Sequence, residues 1–252
     1  MIDFIALGNK ASQLRKQLDI KPDDAVNVLA LAQRMEKLTI IYYPLGKKLS
    51  GMCVKGQSGN NVIAINSSMT LGRQNFTMAH EFYHLFYDDN KFTICVKALD
   101  KKPENEIAAD FFASCFLMPV LAMKKFLKDL KSHASDNKIT LEDIIHIEQF
   151  FGVSHQATIY RLKDMKYIDV HEFETFLHTP VRRKAEEIGY SPVLYEPMPK
   201  KLKYMTFGHY IKQANDVWNL DLVSDGKYEE LLLEAFRSDL VYGDVEEGDL
   251  ID

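Results

Sequence analysis

The sequence predicts an α+β fold: a small, mostly antiparallel sheet packed on several helices, followed by a mainly helical C-terminal extension. Three observations carry this. Short β-branched and aromatic runs cluster within residues 39–66. Between Pro103 and Met165, apolar residues recur at helical spacing between capping signals. Beyond about residue 170 the prolines Pro180, Pro192, Pro197 and Pro199 break the pattern. They set a boundary between residues 1–170 and an extension over 171–252.

In chain order, residues 23–38 read as a helix. Val26, Leu29, Ala30, Met35 and Leu38 fall near helical spacing, and Pro22 stands at the first turn. Thr39 to Tyr43 is β-branched and aromatic, hence a strand, ended by Pro44 and Gly46. Gly51 to Val54 reads as a second strand. A turn-rich break over residues 56–60 then leads into a third, Asn61 to Asn66. A helix follows, built around His80 to His84. Asp88 to Asn90 is a loop, and Phe92 to Val96 a short strand. Pro103 opens a helix to about Met118, and Pro119 opens the next, ending near His133. Residues 132–138 are polar and loose. Thr140 and Asp143 form an N-terminal cap, and Gly152 stops that helix. Ser154 caps another through Met165. In the extension, helices are expected over 207–217 and 227–238.

At 252 residues, with 46% hydrophobic and 27% charged, the composition is that of an ordinary soluble globular protein. A net charge of −5 argues against a general nucleic-acid binder, which carries a basic excess. The charge is uneven. Residues 221–252 hold eleven Asp and Glu against Lys227 and Arg237, a balance of −9, so the rest of the chain stands at +4. The plain reading is a solvated acidic tail. Cys53, Cys95 and Cys115 are odd in number and lack C-x-x-C spacing. They read as buried thiols in a reducing compartment. No signal-peptide pattern or membrane-length apolar run is visible, so a cytoplasmic location is expected, with no membrane partner.

The chemistry centres on His80-Glu81-Phe82-Tyr83-His84, an H-E-x-x-H pattern. On a helix, positions i and i+4 share a face, so the two imidazoles lie side by side. Two neutral imidazoles suit Zn²⁺, and Glu81 is close enough to act as general base on an attacking water. The plain alternative is a pair of core histidines. Context opposes it: Ala79, Phe82, Tyr83 and Phe86 would bury this helix, and buried polar groups need partners.

A catalytic zinc site takes a third protein ligand. Glu106 lies in the helix from Pro103, with Asp110 one turn on. Glu106 could bind the metal while Asp110 accepts the free N–H of a ligating imidazole. The alternative is a solvated acidic helix start. It fits Glu104, the reserve ligand, better than Asp110, because Ile107, Ala108, Phe111, Phe112 and Phe116 make the helix largely apolar.

These blocks together resemble a known family. F-T-M-A-H-E-F-Y-H at 76–84, E-I-A-A-D-F-F-A at 106–113 and L-M-P at 117–119 are similar to the ImmA/IrrE metallopeptidases. N-V-I-A-I-N at 61–66, Arg73 and F-F-G-V-S-H-Q-A-T-I-Y-R-L at 150–162 fit the same pattern, over roughly residues 20–170. The resemblance implies a zincin-like core with gluzincin-type ligands: His80, His84 and Glu106 on Zn²⁺, Glu81 as general base, and Asp110 behind a histidine. It also implies a protein substrate, typically a helix-turn-helix repressor of a phage, mobile-element or stress-response switch. The extension lies outside the resemblance.

The reading is therefore a zinc endopeptidase. An oxyanion donor is expected, with Tyr160, His155 and Arg161 as candidates. The third strand is read as a sheet edge where Val62, Ile63, Ala64 and Ile65 would pair with an extended substrate. The acidic extension would suit a basic, DNA-binding partner. Two other classes compete. Residues 141–166 have a helix-turn-helix outline, but their mixed charge favours packing over direct nucleic-acid contact. The other is a non-proteolytic metal-binding module that modulates a repressor or antitoxin by binding alone.

Overall fold

The computed structural model describes residues 2–96, 102–132 and 138–243. It opens with α1 (Phe4–Gln17), whose N-terminus is capped by the Asp3 carboxylate accepting from the amides of Ile5 and Ala6. The sequence pattern does not announce this helix, because only Leu7, Ala11, Leu14 and Arg15 are buried. Arg15 substitutes hydrogen bonds for apolar contact. Its guanidinium donates to the carbonyls of Phe116, Lys21 and Asp24 at 2.6–2.7 Å.

The helix expected over 23–38 contracts to α2 (Val28–Gln33). The Asn27 side chain accepts from the Ala30 amide and so sets the start one turn later than the apolar spacing suggests. Lys37, at φ 58°, turns the chain into β1 (Leu38–Tyr43). Next come β2 (Leu49–Lys55), β3 (Asn61–Asn66), α3 (Leu71–Tyr87) and β4 (Phe92–Val96). The helices α4 (Glu104–Leu117), α5 (Val120–Leu130), α6 (Leu141–Phe151) and α7 (His155–Asp164) complete the part read as the core. The predicted caps are present: a Thr140/Asp143 capping box, Gly152 at φ 65°, and Ser154 accepting from Ala157. Of the polar stretch at 132–138, residues 133–137 lie outside the described residues.

The extension supplies α8 (Val170–Leu177), α9 (Arg182–Glu187), β5 (Met205–Gly208), α10 (His209–Asn219), α11 (Asp225–Glu234) and α12 (Ser238–Tyr242). The two predicted helices are thus α10 and α11, and the start of the first predicted span is strand instead. The acidic residues Asp244, Glu246, Glu247, Asp249 and Asp252 lie outside the described residues.

The sheet runs β4-β2-β3-β1-β5. Only the β1–β3 pairing is parallel; the other three are antiparallel. This corrects one expectation. β3 sits at the centre, hydrogen-bonded by β2 on one side and β1 on the other. Val62, Ile63, Ala64 and Ile65 therefore have no free backbone edge to offer a substrate. The physical sign lies in the strand itself: Ile63 and Ile65 are fully buried, and so apolar a strand belongs inside a sheet. The edges are β4 and β5, and β5 comes from the extension.

α3 packs on β2 and β3, and α4 packs on α3 and α1. The core between them holds Ile40, Ile63, Ile65, Met78, Phe82, Phe112 and Phe116, all fully buried. Among the described residues no single helix is long and apolar enough to cross a membrane. The bent pair α4–α5 passes on length and composition, but Phe112, Phe116, Met118 and Met123 in it are buried core.

Candidate metal centre

The site is built on α3. Its first turn is pressed against the turn between α6 and α7. A Cβ on Gly72 would come within 2.8–3.0 Å of the backbone of Val153 and Ser154, so only glycine allows this approach. Further along, Met78, Ala79 and Phe82 anchor the helix in the core. His80 and His84, one turn apart, are 5% and 0% exposed. α4 runs alongside and delivers Glu106 and Asp110.

The three sequence-predicted ligand groups converge. His80 Nε2 and His84 Nε2 are 3.2 Å apart. Glu106 straddles them, with Oε2 3.3 Å from His80 Nε2 and Oε1 3.3 Å from His84 Nε2. Each imidazole has a carboxylate on its other nitrogen. His80 Nδ1 lies 2.9 Å from Asp110 Oδ1, and His84 Nδ1 lies 2.8 Å from Asp88 Oδ2. Nδ1–H donating to these carboxylates leaves a lone pair on each Nε2. Two lone pairs and a carboxylate then face one another in a dry space, which is repulsive without a cation between them.

The spacing fits a metal ion. Tetrahedral ligands about 2.0–2.1 Å from zinc stand about 3.3–3.4 Å apart, and the three separations here are 3.2–3.3 Å. The electrostatics agree. Burial pushes the Glu106 carboxyl up, but the adjoining imidazoles of His80 and His84 outweigh it and hold the group well below the usual carboxylate range. Burial likewise lowers His80, yet Asp110, Cys95 and Glu106 together raise it.

Glu81 is fully buried; among the described residues no nitrogen or oxygen donates to its carboxylate, and the Cys95 thiol lies beside it. Burial raises its pKa above the ordinary value. Its place depends on Gly51 of β2. A Cβ there would lie 2.8 Å from Glu81 Oε1, 2.7 Å from Thr77 Cγ2 and 2.9 Å from the Ala64 carbonyl oxygen. A cleft of about 820 Å³ opens onto the site, lined among others by His80, Cys95, Glu106, Asp110, Phe111 and Tyr160.

The remaining candidates separate. Tyr160 is half-exposed on the cleft wall. His155 is absent from that wall, a correction to its reading as an oxyanion donor. Its Nδ1 pairs with Glu148 at 2.6 Å and its Nε2 donates to the Phe176 carbonyl at 2.7 Å, so both nitrogens are engaged elsewhere. Arg161 is buried, donating to the Met118 carbonyl and the Cys115 sulfur. Glu104 is exposed and stands outside the cluster.

Two residues escape the sequence reading. Asp88 is visible there only as a loop residue, although its i+4 spacing from His84 is a usable signal. Cys95 leaves no such signal. The β4–β2 pairing sets it opposite Gly51. There its sulfur joins the ligand atoms of His80, His84 and Glu106, all four within 4.8 Å of one another. These four buried residues form a group able to hold a metal ion. All three cysteines are free and buried.

The family model for the IrrE N-terminal-like domain, peptidase M78, matches residues 36–163, just over half of the chain. That span includes every residue of the cluster, together with Asp88, Asp110 and Tyr160. No curated protein matches the chain.

Proposed function

We propose that this chain, which belongs to the peptidase M78 family through its IrrE N-terminal-like domain, is a zinc-dependent endopeptidase cutting a peptide bond in a protein substrate. The observation that supports this best is the convergence of His80, His84 and Glu106 beside a buried Glu81. His80, His84 and Glu106 would hold the metal. A His₂Glu set is suited to zinc and is poor for magnesium or calcium. When bound, zinc polarises the scissile carbonyl and lowers the pKa of water.

The chain's own groups do the rest. Asp110 and Asp88 fix both imidazoles with Nε2 turned to the centre. Glu81 takes a proton on a carboxylate oxygen and returns it to the leaving amine. Its raised pKa suits both halves of that exchange. Tyr160 is the remaining candidate for donating to the oxyanion, from the cleft wall. An extended substrate would pair with β4, the sheet edge at the cleft, instead of β3.

The substrate we favour is a helix-turn-helix repressor, in keeping with the family resemblance and with an acidic extension suited to a basic partner. We place the activity in the cytoplasm, where three free thiols stay reduced. A second reading, binding a repressor or antitoxin without turnover, gains support from the thiol among the ligand groups. One comparison separates the two. Glu81→Gln should keep its zinc and lose cleavage of a candidate repressor. Equal relief of repression by both proteins, with the repressor intact, would favour the binding module.

A further inference from the structure

We propose that Cys95 is a fourth protein ligand, so that the resting metal site is closed by the chain itself. This rests on the metal site proposed above and adds to it.

The strand places the thiol. β4 alternates, with Phe92 and Ile94 exposed and Thr93 and Cys95 buried, so the pleat turns Cys95 inward. The residue opposite it, Gly51, has no side chain to stand in the way. Cys95 is 3% exposed, and its sulfur lies within 4.8 Å of the ligand atoms of His80, His84 and Glu106. Zinc to sulfur bonds are about 2.3 Å, so a sulfur within this range needs at most a small movement of the strand edge to complete the shell. Among the described residues β4 is hydrogen-bonded to the sheet on one side only, so it can shift without breaking a second ladder.

The chemistry agrees with the placement. Four protein ligands including a thiolate make a closed zinc site, while three leave a position open. Glu81 is the independent sign. Its two oxygens are buried, with no nitrogen or oxygen donor among the described residues and the same thiol beside them. A general base so placed has nothing to act on until the sulfur leaves. Release of Cys95 from the metal would open the position that hydrolysis needs, and β4, which carries both the ligand and the free edge at the cleft, is the element that would move.

Cobalt(II) substitution tests this without recourse to activity. Metal-free full-length protein, kept reduced without added thiol, is titrated with Co²⁺. The expected spectrum has visible ligand-field bands of tetrahedral cobalt and a near-ultraviolet sulfur-to-cobalt charge-transfer band. Cys95→Ser should keep the visible bands and lose the charge-transfer band, while Cys53→Ser and Cys115→Ser retain both. Visible bands in the wild type without charge transfer would overturn the ligand while leaving the metal site standing. A charge-transfer band surviving Cys95→Ser would do the same. Absence of any visible band would remove the metal site and the proposal together. Should Cys95→Ser fail to fold, the wild-type spectrum and the variant carrying Cys95 as its sole cysteine still decide.

Discussion

Replacing the aspartates behind the histidines should weaken metal binding in a defined order. Asp88→Asn and Asp110→Asn keep side-chain shape and remove one charge each. Loss of a carboxylate from a ligating histidine typically costs about 10–100-fold in metal affinity, or about 1.4–2.7 kcal/mol. The structure ranks the two sites within that range. The Asp88 side chain is 9% exposed; beyond His84 it accepts from the Asn90 amide at 3.0 Å, while Lys55 Nζ donates to the Asp88 main-chain carbonyl and not to the carboxylate. The Asp110 side chain is 37% exposed and shares its charge with Lys102. Solvent and lysine already screen it, so less is lost with it. Asp88→Asn should therefore approach the 100-fold loss and Asp110→Asn stay nearer tenfold. Both dissociation constants can be measured at pH 7.5 by zinc competition with a chromogenic chelator. Far-ultraviolet circular dichroism of the metal-free forms controls for folding. Wild-type affinity in both variants, or a larger loss at Asp110, would refute the assignment of these carboxylates.

Other perturbations probe what positions the site. Gly51→Ala puts a Cβ against Thr77, Glu81 and the Ala64 carbonyl oxygen; overpacking of this kind costs about 1–3 kcal/mol, to be read as a lower urea midpoint, and an unchanged midpoint would contradict the close approach. His155, between Glu148 and the Phe176 carbonyl, should make stability pH-dependent. Burial lowers its pKa, but Glu148 raises it above 6.5 overall, so its contribution is complete below that value and is lost as pH rises through the folded pKa. The stability difference between zinc-loaded wild type and His155→Gln should shrink from pH 6 to pH 9; a constant or growing difference would count against the pair. A chain ending at residue 170 loses β5 and bares the β1 edge, so it should aggregate or melt well below the full-length protein; equal melting temperatures would show that the extension is dispensable.

Legibility in the sequence followed the range of the interactions. His80, Glu81 and His84 are related by helical periodicity, and so are Glu106 and Asp110, which is why the residues alone suggest both groups. Asp110 reaching His80 needs α3 and α4 to pack side by side, and the apolar character of Phe112 and Phe116 already pointed that way. Strand order had no comparable signal. β3 is recognisable as a strand, but its place between β1 and β2 is set by strand pairing, including the parallel crossover from β1, which no periodicity announces. The assignment of Val62 to Ile65 as a substrate edge failed for that reason. α1 was invisible because Arg15 holds it through carbonyl oxygens instead of an apolar stripe.

The extension and the metal centre are connected through the same sheet. β5 covers the β1 edge, so among the described residues the sheet ends in β5 on one side and in β4 on the other, and β4 is the end strand with residues, Cys95 and Val96, on the cleft wall. On β4, Cys95 faces the histidines while Phe92 and Ile94 stay exposed. A strand pairing with β4 would use its backbone and touch those exposed side chains, and it would act directly on the residue carrying the sulfur.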